Sequence, residues 1–354
     1  MRVKMKSLKF KILGHSVIFL SLLTFFYSSE AEANCVVQNT NANLGTYPST
    51  QVENGQVEST PFSSGLNCTG LATVTSATYL KYVVNNVSSS LVNINDPQKT
   101  IPLEVYERFT TSFTNDGTPV RVTNSYTESI KAITLLSLFF GPDGNLSMFA
   151  TVPVQGTKIV PGTYRGTLTI TWFYSIPALA ILGLGNFYES PGFDRPLLGI
   201  GDPEWGSGIT STMTIELTVD RDCSLLVTPI NFGTAPFAQK FNPVTNTLQI
   251  RCSAGTPYSV GLSNGSSGVA PRTMINQTDS SKKLAYEIYK ANTIERWGNL
   301  GSERWHSDDA TRNSEVYDGS TYQEYDATAK ILDSNSNALP SGTYKDNVIV
   351  EVEF

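Results

Sequence analysis

Short runs of alternating apolar and polar residues recur along this chain, and long helical periodicity is absent beyond residue 33. The clearest runs are Thr167–Tyr174 (TLTITWFY), Met213–Val219 (MTIELTV) and Val348–Phe354 (VIVEVEF). Each is rich in Val, Ile, Thr or aromatic residues, and Gly, Pro, Asn and Ser punctuate the chain between such runs. A period of two sends successive side chains to opposite faces, so one face can meet a core and the other water. The pattern predicts an all-β chain of antiparallel sheets, packed as sandwiches or closed as barrels.

A repeat of about 180 residues organises these strands. CVVQNTNANLGTY from Cys35 matches CSLLVTPINFGTA from Cys223, at an offset of 188 that still holds at Gly45 and Gly233. The offset is 184 at Cys68 and Cys252, 183 where IPLEVY (101–106) meets LAYEIY (284–289), and 180 at Gly162-Thr163-Tyr164 against Gly342-Thr343-Tyr344. Ordered landmarks with so little drift imply two copies of one β-domain, with a disulfide in each: Cys35–Cys68 and Cys223–Cys252. Each bridge closes a loop of about 30 residues, worth roughly 3–4 kcal/mol in the chain-entropy model.

The copies differ at their ends. In the first, TLTITWFY leads on to MTIELTV, whose Met213, Ile215, Leu217 and Val219 can fill a core. In the second, the corresponding strand stops at Phe354. Its apolar positions Val348, Val350, Val352 and Phe354 then border a groove with an open sheet edge, unless the second copy closes its sheet in another way. An open edge invites aggregation, and a strand from another chain is the natural cover.

Residues 1–33 carry five basic residues, an apolar segment and Ala31-Glu32-Ala33, the pattern of a cleaved secretory signal; an uncleaved anchor helix is the alternative. The mature chain then starts at Asn34, with residues 34–221 and 222–354 as its two domains. With one residue ahead of Cys35, it is expected to accept a strand and to have none to give, which makes it the last unit of any head-to-tail polymer. Five basic and two acidic residues leave with the signal, taking the formal charge from −6 to −9. That sign speaks against nucleic acid and anionic lipid as partners. Four cysteines at spacings of 33 and 29 fit disulfides of an exported protein and no zinc pattern.

Catalytic candidates are sparse. His306 is the one histidine after residue 33, in a polar stretch with Asp308-Asp309. Gly261-Leu262-Ser263-Asn264-Gly265 has the spacing of a nucleophile elbow, but the helix that must follow is missing from the pattern. No enzyme and no cofactor is expected.

The second copy carries INFG (230–233), IRCSAGTPYSVGLSNG (250–265), PRTM (271–274), LAYEIY (284–289), WG (297–298) and PSGTYKDNVIVEVEF (340–354). In this order they resemble a spore coat protein U domain, the pilin module of archaic chaperone–usher pili. The arrangement with an unusual first copy, which has neither WG nor PRTM, resembles the tip adhesins of Csu-type biofilm pili. The resemblance implies tandem immunoglobulin-like sandwiches. It implies a periplasmic chaperone, an outer-membrane usher and the N-terminal strand of an adjacent pilin as partners, and a place at the pilus tip on the cell surface.

It also implies apolar loops on the first domain that bind abiotic surfaces and promote biofilm. Two segments answer to that. SIPALAILGLGNFYES (175–190) lies in a 38-residue connection (175–212), is too broken by Pro177, Gly183 and Gly185 to span a membrane, and offers Ile176, Leu179, Ile181, Leu182, Leu184 and Phe187. ITLLSLFFGPDGNLSMF (133–149) sets Phe139, Phe140 and Leu146 around a turn. A buried core strand is the competing reading of the first segment. A glycan site from Trp172, Trp205, Tyr188 and Asp194 competes with the apolar surface, and a structural coat role is a third possibility.

Overall fold

The computed structural model describes residues 34–354 apart from 59, 70–71, 75–76, 108–119, 133–144, 182–183 and 336–338. The signal segment, Phe139, Phe140 and Leu182 lie outside the described residues. Among those described, no helix is long and apolar enough to cross a membrane.

Strands are numbered in chain order. The first half has two facing sheets. One runs β1 (Asn34–Val37), β3 (Thr60–Thr69), β11 (Asn145–Thr151), β8 (Glu104–Glu107), β9 (Val120–Val122). The other runs β10 (Thr127–Ala132), β5 (Thr78–Val87), β12 (Gly162–Ile181), β14 (Ile209–Asp220), β2 (Thr40–Pro48). Joined to β12 along its length are β13 (Leu184–Glu189), β4 (Ala72–Val74) and β6 (Ser90–Asn93), and β7 (Thr100–Pro102) pairs with β6. A single turn of helix, α1 (Ser49–Glu53), follows β2.

The second half repeats this in a reduced form. One sheet runs β15 (Cys223–Leu226), β16 (Val244–Cys252), β21 (Gln323–Ile331), β19 (Lys283–Lys290), β18 (Arg272–Asn276), β22 (Tyr344–Lys345). The facing sheet is β20 (Trp305–His306), β17 (Ser259–Leu262), β23 (Val350–Glu353). Each half encloses its own apolar core between its sheets, with Leu66, Tyr82, Ile170 and Trp172 in the first and Ile250, Val260, Trp297 and Tyr325 in the second. The layers are those of immunoglobulin-like sandwiches. Both disulfides are formed, each across paired strands: Cys35–Cys68 joins β1 to β3, and Cys223–Cys252 joins β15 to β16.

The repeat holds in atomic detail. Gly45 and Gly233 both have positive φ, and each amide donates to the asparagine two residues before it, Asn43 or Asn231. Tyr164 and Tyr344 each donate a hydroxyl to the carbonyl four residues back. Gly162 and Gly342 each lie against an asparagine amide, Asn93 or Asn276, closer than any Cβ could stand.

One expectation is corrected. Residues 175–212 are not a long irregular connection: β12 continues to Ile181 and returns as β13. Ile176 is fully buried, because it extends the inward series of Trp172 and Tyr174 into the core. It is therefore a core residue and no part of an exposed surface.

Candidate functional site

The groove begins with a difference between the halves. In the first, β14 lies between β12, antiparallel to it, and β2, parallel to it. Its inward residues Met213, Ile215, Leu217 and Val219 are buried almost completely. At the repeat offsets, β12 corresponds to residues from 342 onward and β2 to residues from 228 onward. These two segments form the walls of an open groove of about 670 Å³, Val227 to Phe232 on one side and Thr343 to Val350 on the other. Leu248, Leu262, Ile288 and Trp297 reach it from the core side. Among the described residues β23 pairs only with β17, so its other edge carries no strand. The groove is the place that β14 fills in the first half.

Of the four edge positions expected from the alternation, Val348 and Val350 line the groove. Val352 packs against the second core beyond it. Phe354 does not belong to the groove: the strand ends at Glu353, and the ring sits at another cleft with His306, with the Arg221 guanidinium 5.7 Å from its centre.

The sequence motifs of the second half support this groove from behind. Arg272, of PRTM, is fully buried. Its Nε donates to the Ser263 carbonyl at 2.8 Å, and its Nη2 to the carbonyls of Leu262 and Trp297 at 2.7 and 2.8 Å. It pairs with Glu287, whose other oxygen accepts Arg296 Nε at 2.8 Å. Burial pulls the Arg272 guanidinium down from the usual arginine range, and the Glu287 carboxylate opposes that pull. Trp297, of the WG pair, donates its indole N–H to the Val260 carbonyl at 2.9 Å. The cation thus fixes β17, β19 and the WG turn in one arrangement, with two of the residues it holds, Leu262 and Trp297, lining the groove.

At mid-groove the Asp346 carboxylate accepts the Tyr286 hydroxyl at 2.7 Å and the amides of Ser266 and Asn347 at 2.7 and 2.8 Å. Burial raises the Tyr286 phenol well above its ordinary range, and the bond to Asp346 adds to this. Ser263 of the elbow-like motif follows β17 and accepts the Ile349 amide at 2.9 Å. His306 and Asp308 are exposed.

The second candidate is the far end of the first half. Leu179 and Ile181 sit on the outer stretch of β12 and Leu146 on β11, where only the backbone is described. Leu184 is 65% exposed at the start of β13. Phe187 is half-buried, with the Arg195 guanidinium 3.8 Å from its ring centre. Arg195 also donates to Ser175 Oγ at 2.8 Å and to the Ala77 carbonyl, which ties the following loop to the outer third of β12. That loop exposes Leu197 (82%), Leu198 and Ile200 (78%), and Leu198 adopts a left-handed φ of 54°. Sequence reasoning left these three out of its binding set. Their signal was three aliphatic residues between Pro196 and Gly201, outside any alternating run.

The four residues of the glycan alternative do not converge. Trp172 is buried on the inner face, donating to Ser211 Oγ at 2.9 Å, and Tyr188 packs on the same core. Trp205 meets Phe193 and Tyr79 edge to face outside that core, and Asp194 forms a backbone bridge with Glu204.

The family pattern described as the Spore Coat Protein U domain matches residues 209–351, starting at the first residue of β14. No curated protein sequence matches the chain. A chain in the crystal structure of the CsuC–CsuE chaperone–tip adhesion subunit pre-assembly complex, from archaic chaperone–usher Csu pili of Acinetobacter baumannii, is 35% identical. That match covers 91% of this chain and 100% of the other, with a TM-score of 0.65. CfaE, the adhesive subunit of CFA/I fimbria of enterotoxigenic Escherichia coli, is 10% identical over 89% of this chain and 92% of its own, at a TM-score of 0.29 too low to bear on fold or function.

Proposed function

Since the chain belongs to the family of tip subunits of archaic chaperone–usher pili, with a spore coat protein U domain at its C-terminal end, we propose that it caps such a pilus and attaches the cell to surfaces. Residues 34–221 serve attachment and 222–354 serve docking. The observation that carries the docking role is the groove standing where β14 stands in the first half. A periplasmic chaperone fills it during export, and the N-terminal strand of the adjacent pilin replaces that strand at an outer-membrane usher. The family's members are adhesins and structural subunits, and no reaction is assigned to this chain.

Attachment is assigned to the apolar far end, where Leu184, Leu197 and Ile200 are exposed. Covering ~400 Å² of apolar surface at about 25 cal/mol/Å² gives roughly 10 kcal/mol before association costs. Several pili on one cell add avidity. Such contact needs no chemical specificity, so it suits abiotic materials and the start of a biofilm.

The test is adhesion of the whole chain to polystyrene beads, with and without Leu184→Ser, Leu197→Ser and Ile200→Ser together. The variant is expected to keep its circular dichroism and lose at least about tenfold in bound fraction, since several kcal/mol of apolar contact are removed. Detergent should release the wild type and soluble sugars should not. A folded variant that adheres as well as wild type rules this end out.

A further inference from the structure

On the reading that the groove takes a strand from another subunit, we infer that Asp346 determines which strand it takes. The occupant carries a short hydrogen-bond-donating side chain, serine or threonine, where β14 carries Ile215.

The molecule contains its own template for the occupant. The family match starts at Ile209, so the family's pattern includes a strand ahead of the first cysteine, and here that strand is β14. Across β12 its inward residues meet defined neighbours: Met213 faces Leu168, Ile215 faces Gly166, Leu217 faces Tyr164 and Val219 faces Gly162. At the offset of 180 the corresponding wall residues are Val348, Asp346, Tyr344 and Gly342. Three of the four keep their character. The fourth exchanges a glycine for a carboxylate.

That exchange changes what can lie opposite. A Cβ on Gly166 would stand 3.0 Å from Leu91, 3.2 Å from Ser88 Cβ and 3.4 Å from Leu103, so glycine leaves a tight, carbon-lined place beside the branched Ile215. Asp346 is half-buried, in the inward series of Tyr344 and Val348, and lines the groove. Its carboxylate has a constructed seat. Tyr286 donates to one oxygen, the Ser266 and Asn347 amides donate to the other, and Gly265 leaves the room, since a Cβ there would fall 2.0 Å from Asp346 Oδ2.

Directly opposed residues of an antiparallel pair have Cβ atoms about 4.5–5.5 Å apart. A strand entering the groove in the register of β14 therefore sets one inward side chain against this carboxylate. A branched aliphatic group would strip water from it and return nothing. A hydroxyl would displace the water and donate a bond to a remaining lone pair.

The probes are three peptides: residues 209–220 of this chain, the same peptide with Ile215→Ser, and the same with Ile215→Asp. Each is titrated by fluorescence anisotropy against the full chain and its Asp346→Ala variant. Wild type is expected to prefer the serine peptide over the parent by about tenfold, the scale of one hydrogen bond to a charged group, and to bind the aspartate peptide weakest. In the variant the preference should vanish or reverse. If Asp346 only braces the wall, the variant weakens parent and serine peptides alike and wild type does not prefer serine, which overturns the inference and leaves the groove reading intact. If the parent binds wild type as tightly as the serine peptide, the inference is likewise wrong. If a folded full chain binds none of the three, the groove reading falls and takes the inference with it.

Discussion

Arg272 shows how much one buried side chain holds. Its guanidinium bonds three backbone carbonyls and a carboxylate at the back of the groove. Substitution by methionine takes that donor from the three carbonyls and leaves Glu287 with Arg296 and the amide of Ile288. Arg272→Met is expected to destabilise the second half by about 3–5 kcal/mol, seen as a lower urea midpoint. Asp222 is the second such residue, at the junction of the halves. It accepts Ser49 Oγ at 2.5 Å and Thr50 Oγ1 from α1, and Ser253 Oγ at 2.9 Å from beside Cys252. Burial works against the charged carboxylate, but these hydroxyls outweigh it and hold the group below the usual aspartate range. A depressed folded value means the contribution is complete above the unfolded value of about 3.9 and is lost as pH falls through the folded value. Stability should thus be insensitive to this group from pH 7 to about 4 and fall below that. Asp222→Asn should flatten the acid limb of a stability-against-pH curve; an unchanged limb would contradict the assignment.

At the scale of the element, β14 decides whether a half is closed. Leu217 lies fully buried in the place whose counterpart is empty in the second half. Leu217→Ala should cost about 2–5 kcal/mol, measured by denaturation of the first half, whereas Leu184→Ser, at an exposed position, should stay within about 0.5 kcal/mol. One wall of the groove was legible in the sequence, because the alternation that runs through Val348 and Val350 marks the segment that lines it. The disulfide pairs were legible from the repeat. The course of residues 175–189 was not. Pro177 has no amide to give a ladder, and the pairing with β13 is irregular between Pro177 and Leu179. Proline and glycines therefore mimicked a loop within a hairpin, and Ile176 read as surface when it continued the inward series of β12. Phe354 was misassigned for the converse reason: alternation carries on in the sequence after β23 has ended.

Across the whole molecule, the groove and the apolar end belong to different halves. Gly162 pairs with Val219, close to Asp222, while Ile181 lies at the far end of the same strand. At about 3.3 Å per residue the strand reaches roughly 60 Å outward. A contact made near Leu184 is thereby kept well clear of whatever occupies the groove. Substitutions at one site should leave the other unchanged, so bead adhesion and peptide binding are expected to vary independently across the variants above.

The antiparallel pairing of β12 with β14 has a mechanical consequence. In the proposed attachment a surface would hold the molecule at the outer end of β12, and β14 leaves the sheet at the opposite end, through Asp220, toward the second half. Traction between a fixed surface and a moving cell then pulls the two strands past each other, lengthwise. Their hydrogen bonds lie across that direction, from Gly162–Val219 to Trp172–Ile209. The ladder is loaded in shear and its rungs must give way together, whereas a hairpin pulled from its open end would peel one rung at a time. The first half is built to stay folded under tension along the axis on which a tethered cell would drag it.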